Sequence, residues 1–247
     1  MSHIFLHGGG DDPTQRQATF GRFVQLLPQA GTASLALVVA EATDADRQAS
    51  FGDYRAIFEA LGVPASQIAP VFVSPQTPLQ RHMLETLQPG GVFVCGGATP
   101  YYHQSLCGEP GWVRYLAEAN IPYGGTSAGA AIASGTAILG GWQALRSTTR
   151  PILFQGASEG LDLLTVQPGL GLVPWAVDVH ASQWGTLLRL VHAVELGLVS
   201  AGWAIDENTA LIVREGETRV VGSGHAYCVV PGSARAVSVT MHTVDQG

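Results

Sequence analysis

The 247-residue sequence predicts an α/β fold built on a mostly parallel, doubly wound sheet. Three observations carry this reading. Short apolar runs alternate with apolar stripes at helical spacing through the first half of the chain. The run Leu35 to Ala40 is apolar throughout, as a strand covered on both faces requires. Each of three glycine-rich stretches, Gly8 to Gly10, Gly96-Gly97 and Gly124 to Gly129, follows a strand-like run, which places all three at the ligand-binding edge of such a sheet.

Taken in order, Ile4-Phe5-Leu6 reads as the first strand, and Phe20, Phe23, Val24 and Leu27 recur at helical spacing. Leu35 to Ala40 is the second strand. Asp53 reads as the cap of a helix whose stripe is Tyr54, Ile57, Phe58 and Leu61, with Gly62 as its stop. Val71-Phe72-Val73 is strand-like, and Thr77-Pro78 opens a helix carrying Leu79, Met83 and Leu87. Val92-Phe93-Val94 is the next strand. A helix from Trp112 to Ala119, a short strand at Ile121-Pro122-Tyr123 and a helix from Ala128 to Ala133 follow. Further on, Leu187 to Leu198 is helix-like, and Thr209 to Val213 and Thr218 to Val221 flank Glu215-Gly216 as a hairpin. No linker, repeat or low-complexity segment interrupts residues 1–247, so a single domain is expected.

Composition narrows the chemistry. A net charge of −7 and the lack of any basic stripe argue against nucleic acid as a partner. The apolar runs are too short for a membrane span, and Met1-Ser2-His3 does not read as a secretory leader. The three cysteines, Cys95, Cys107 and Cys228, have no metal-ligand spacing and suit a reducing cytoplasm, so neither a metal nor an organic cofactor is expected. Lysine is absent altogether: all twelve basic residues are arginines. That removes a Ser–Lys dyad, a Schiff-base lysine and a Walker-type phosphate loop from consideration.

Gly125-Thr126-Ser127-Ala128-Gly129 is a G-x-S-x-G segment between a strand and a helix. Such a turn exposes a serine hydroxyl, and a helix amino-terminus beside it favours developing negative charge. Ser127 is therefore the candidate nucleophile. It needs a base, and two of the eight histidines qualify: His180 at the end of the run Val177-Asp178-Val179, and His225 after Gly222-Ser223-Gly224.

Several ordered segments resemble the aspartyl dipeptidase and cyanophycinase family of serine peptidases. The serine motif is one. Asp178-Val179-His180-Ala181-Ser182-Gln183, followed by Gly185, Leu187, Arg189 and Leu190, is similar to the family's histidine segment. Ala204-Ile205-Asp206-Glu207-Asn208-Thr209-Ala210-Leu211 resembles its Ile-Asp-Glu stretch, while Val94-Cys95-Gly96-Gly97 and Gly8-Gly9-Gly10 resemble two of its loops. The resemblance implies a flavodoxin-like or class I glutamine amidotransferase-like sheet, a homodimer, and cleavage of short, acidic peptides. It implies Ser127 as nucleophile, His180 as base, and the N–H groups of Gly97 and Ala128 as oxyanion donors. For the orienting acid it implies Glu207, with Asp178 as the alternative, because the stretch Trp142-Gln143-Ala144-Leu145 after the serine has no carboxylate. Arg189 and Asp178 are the candidate substrate-binding residues.

The chain departs from the family pattern at Trp184 and Thr186, which stand where the family carries arginine, and at Ala98. Three other readings compete. An α/β-hydrolase esterase would use Ser127, Asp206 and His225, with His7-Gly8-Gly9-Gly10 as oxyanion loop. A thiol enzyme would use Cys95. A binding protein of the same fold would use neither.

Overall fold

The computed structural model describes residues 3–28, 35–109, 111–145, 149–233 and 236–244; Met1 and Ser2 of the leader reading lie outside them. In chain order the first half runs Ile4–His7 (β1), Phe20–Val24 (α1), Leu35–Ala40 (β2), Asp44–Ala60 (α2), Ile68–Val73 (β3), Arg81–Leu87 (α3), Gly91–Val94 (β4), Thr99–Leu106 (α4), Gly111–Glu118 (α5), Tyr123–Thr126 (β5) and Ala128–Ala131 (α6). The second half runs Thr136–Gly140 (β6), Gln143–Leu145 (β7), Thr149–Pro151 (β8), Thr165–Pro168 (β9), Ala176–Val179 (β10), Leu187–Glu195 (α7), Gly202–Ile205 (β11), Thr209–Arg214 (β12), Glu217–Gly222 (β13), His225–Pro231 (β14) and Val237–Thr243 (β15).

The central sheet has the order β13-β12-β1-β5-β4-β2-β3. Its five first-half strands are parallel, and the hairpin β12–β13 adds an antiparallel edge against β1. Every residue of β2 is buried. Alternation along the strands divides the core in two. Phe5, Leu37, Val39 and Phe93 pack with Phe20, Phe23, Ile57 and Phe58 from α1 and α2. Leu6, Val38 and Val94 face the other way, onto Tyr102, Leu106, Trp112 and Leu116 from α4 and α5. Helices thus cover both faces, and period-two strands meet period-3.6 stripes as the sequence predicts.

The second half differs from the one-sheet expectation. β10, β11, β14 and β15 form a separate four-stranded sheet backed by α7, through Ala176, Leu190, Ala193, Ala204 and Val229. Two helix starts also differ. α2 begins at Asp44, where the Thr43 hydroxyl accepts the Asp46 N–H at 3.1 Å, so Asp53 lies inside the helix rather than capping it. The first turns of α2 carry no large apolar residue before Phe51. Thr77 and Pro78 precede α3: Ser74 and Thr77 exchange backbone hydrogen bonds in a bridge, and the helix starts at Arg81. Among the described residues, no helix is long and apolar enough to cross a membrane.

His7, the last residue of β1, is fully buried, with ring centroids 4.5 Å from Phe20 and 6.2 Å from Phe5. Its Nδ1 accepts the Gly9 N–H at 3.3 Å and meets Thr126 Oγ1 at 2.9 Å. The proton therefore sits on Nε2, which has no partner among the described residues. Burial, reinforced by His180, lowers its pKa to about 3, against 6.5 for a free histidine. Between those values the unfolded chain binds a proton that the folded chain refuses, so His7's contribution is complete above pH 6.5 and is lost as the pH falls towards 3. Chemical denaturation across this window should show stability falling by up to about 1.4 kcal/mol per pH unit from this group. His7→Asn, which keeps an acceptor and removes the titration, should flatten that slope; an unchanged slope means that other groups set the acid limit.

Candidate active site

Strands β1, β5 and β4 are neighbours, so the loops after them converge at one sheet edge. Between β5 and α6, Ser127 has φ 50° and ψ −116°, a left-handed conformation that costs a non-glycine residue roughly 1–3 kcal/mol. Its neighbours show why the turn holds. A Cβ on Gly125 would lie 2.5 Å from the Gly129 carbonyl oxygen, and one on Gly129 would lie 2.3 Å from that of Val94. The elbow packs backbone against backbone, and only glycine fits two residues to either side of the serine.

His180 follows β10, a strand of the second sheet. It too has positive φ, at 57°. Ser127 Oγ lies 2.9 Å from His180 Nε2, and His180 Nδ1 lies 2.7 Å from Glu207 Oε1. Glu207 sits between β11 and β12, and its backbone N–H donates to Gln183 Oε1 at 3.0 Å. The three residues that the resemblance implies are therefore assembled in one chain of hydrogen bonds. The His180 side chain is 9% exposed. Gly9 fits closely against the ring, where a Cβ would approach Cε1 to 2.1 Å.

The serine opens into a cleft of about 840 Å³, lined in part by Gly10, Tyr54, Gly97, Ala98 and Glu159. The Gly96 peptide beside it is gripped from both sides. Tyr54 Oη accepts its N–H at 2.9 Å, and Tyr102 Oη donates to its carbonyl at 2.9 Å. Burial pushes both phenol hydroxyls up, so they stay neutral. Gly97 lines the same cleft as Ser127, and Ala128 follows the serine as the first residue of α6. Tyr54 entered the sequence reading only as one residue of an apolar stripe, a pattern that does not distinguish a phenol from a phenylalanine.

The predicted substrate contacts are placed differently. Arg189 is 4% exposed and Asp178 1% exposed, and they bind each other. Arg189 Nε donates to Asp178 Oδ2 at 2.8 Å, Nη2 to Oδ1 at 2.6 Å, and Nη1 to the Ala157 carbonyl at 2.7 Å. Asp178 is thus engaged by Arg189 rather than by His180, and the arginine's fork is occupied inside the protein. Neither residue lines the cleft. What Arg189 does reach is the segment carrying Gly156, Glu159 and Gly160, which forms one cleft wall.

The competing residues are also accounted for. Asp206 accepts the backbone N–H groups of Ser182 and His225 at 2.9 and 3.0 Å, and His225 Nδ1 lies 3.4 Å from the same carboxylate. His180 stands at Ser127 in the place an esterase reading gives to His225. Cys95 is fully buried, and burial raises its thiol well above the usual range, which leaves little reactive thiolate. Among the described residues, no group of three or more histidine, cysteine, aspartate or glutamate side chains is gathered as a metal centre.

Comparison with protein-family models and with curated sequences finds no match. In structure, all of this chain superposes on 96% of a peptidase from an acI-B1 Actinobacterium, solved by crystallography, with a TM-score of 0.64 and 16% sequence identity. At that identity the likeness shows a shared fold.

Removing one partner of a buried, bidentate ion pair strands the other charge. Asp178→Ala should lower unfolding free energy by about 3–5 kcal/mol in chemical denaturation. Loss below about 1 kcal/mol would mean that the pair is not buried as described.

Proposed function

We propose that the chain is a serine hydrolase that cleaves the peptide bonds of short peptides through an acyl-enzyme on Ser127. The observation that carries this reading is the pair of distances 2.9 Å and 2.7 Å linking Ser127, His180 and Glu207 on a strained elbow. The shared fold with a structure described as a peptidase supports it, as does the resemblance in motif order to the dipeptidase and cyanophycinase family. The parallel strand order β3-β2-β4-β5-β1 is a circular permutation of the flavodoxin order, in keeping with the sheet which that resemblance implies.

In this mechanism Ser127 Oγ attacks the carbonyl carbon while His180 Nε2 takes its proton. The N–H groups of Gly97 and Ala128 receive the oxyanion. Collapse breaks the C–N bond, and His180 returns the proton to the leaving amine. Water then repeats the cycle on the acyl-enzyme. Glu207 holds Nδ1–H and stabilises the imidazolium in both halves.

The cleft's charge bears on the substrate. Asp11, Asp53 and Glu159 line it, against one guanidinium, Arg16, whose Nε already donates to Asp11 at 2.6 Å. Such a lining favours peptides bearing ammonium or guanidinium groups over the acidic peptides that the family resemblance implies.

Ser127→Ala and His180→Ala should each lower kcat on the order of 10⁴-fold or more, with Glu207→Gln losing on the order of 10²–10⁴-fold and His225→Ala little. Near-normal turnover in folded Ser127→Ala would end the serine mechanism. In a dipeptide library, kcat/KM for lysine- or arginine-bearing peptides should exceed that for aspartyl peptides by about tenfold at low salt. The reverse order would overturn the substrate reading and leave the triad standing.

A further inference from the structure

Trp184 lies against the catalytic base and is assigned no part in the mechanism above. Four residues after His180, its N–H donates to the His180 carbonyl at 2.9 Å, closing a turn that brings the two side chains together. The indole lies flat on the imidazole, with ring centroids 4.0 Å apart and planes 9° from parallel. The imidazole is thereby bounded on four sides: Ser127 at Nε2, Glu207 at Nδ1, Gly9 at Cε1 and Trp184 over a face. Two of these contacts are hydrogen bonds at the ring nitrogens, and Trp184 covers a face. Trp184 itself remains 42% exposed and borders the cleft, so its position is not explained by burial in a core.

The face of an indole carries partial negative charge and attracts a cation within about 6 Å more strongly than a neutral ring. The base becomes a cation only as Ser127 gives up its proton, so this attraction grows in the transition state, where it accelerates the reaction. We propose that Trp184 is a positioning residue for His180, which keeps the imidazole in plane with Ser127 and Glu207 and stabilises its imidazolium form. The proposal rests on the serine-hydrolase reading.

The test is the second-order rate at which a small alkyl fluorophosphonate labels Ser127. In that step an Oγ–P bond forms, the P–F bond breaks, fluoride leaves and His180 takes the serine proton. The reagent carries none of a peptide's side chains, so it separates help given to His180 from recognition of a peptide substrate. Trp184→Leu should label about tenfold more slowly than the wild type, and Trp184→Phe within about threefold of it, since a phenyl face retains part of the attraction. With a peptide substrate, Trp184→Leu should lose kcat while KM changes little. Partial exposure should let both variants fold, as checked by thermal unfolding; if Trp184→Leu does not fold, Trp184→Met carries the same comparison. Wild-type labelling rates in Trp184→Leu, equal losses in the Leu and Phe variants, or an effect confined to KM would each overturn the proposal alone. A wild-type protein that is not labelled at Ser127 would overturn the serine reading and the proposal with it.

Discussion

Three consecutive carbonyl groups hold the site together. The His7 carbonyl accepts the N–H of Ser127 at 3.0 Å, the Gly8 carbonyl that of His180 at 2.9 Å, and the Gly9 carbonyl that of Asn208, next to Glu207, at 2.8 Å. Nucleophile, base and acid come from different parts of the chain and from two sheets. The loop after β1 binds each of them, or its neighbour, by the backbone. Backbone groups near a buried site must find partners, and here those obligatory bonds also set the spacing of the catalytic side chains. The Gly8 N–H bonds to the Thr209 carbonyl and the Asp12 N–H to Asn208 Oδ1, which ties the same loop to the start of β12.

This arrangement explains how two strained residues persist. Ser127 and His180 both hold positive φ, and each would relax if its surroundings allowed it. Their N–H groups are fixed to adjacent carbonyls of one strand end, and the glycine contacts around the elbow leave no room for an alternative path. The strain is over-determined by packing on the central sheet. It serves to aim a hydroxyl at an imidazole that approaches from the other sheet.

Charge is used sparingly and mostly away from the serine. The Arg189–Asp178 pair is buried beneath α7, where its third hydrogen bond fixes the Ala157 carbonyl and hence one wall of the cleft. Such a pair is weak evidence for stability by itself, because desolvation offsets much of the attraction. Its geometric effect is clearer: it fixes the segment that presents Glu159 to the cleft. Glu159 in turn accepts the Thr99 N–H at 3.1 Å, which joins the acidic wall to the start of α4, and burial raises its pKa.

Local pattern in the sequence was enough for the parallel sheet, its two helical layers, the hairpin of β12 and β13, and the serine elbow. Each of these depends on near neighbours: an unbroken apolar run in Leu35–Ala40, a helical stripe from Tyr54 to Leu61, glycines two residues either side of Ser127. The choice of His180 over His225, and the role of Glu207, were legible only through resemblance, since His180 and Glu207 lie 53 and 80 residues beyond the serine and no periodicity joins them to it. Tertiary structure alone decided that β10 and β11 leave the central sheet, that Arg189 turns inward to Asp178, and that Trp184 lies on the base. The physical reason is common to all three. A pattern of apolar and polar residues states that a face is buried or a charge is present, but the partner of a buried face or a buried charge is chosen by packing between segments distant in the chain.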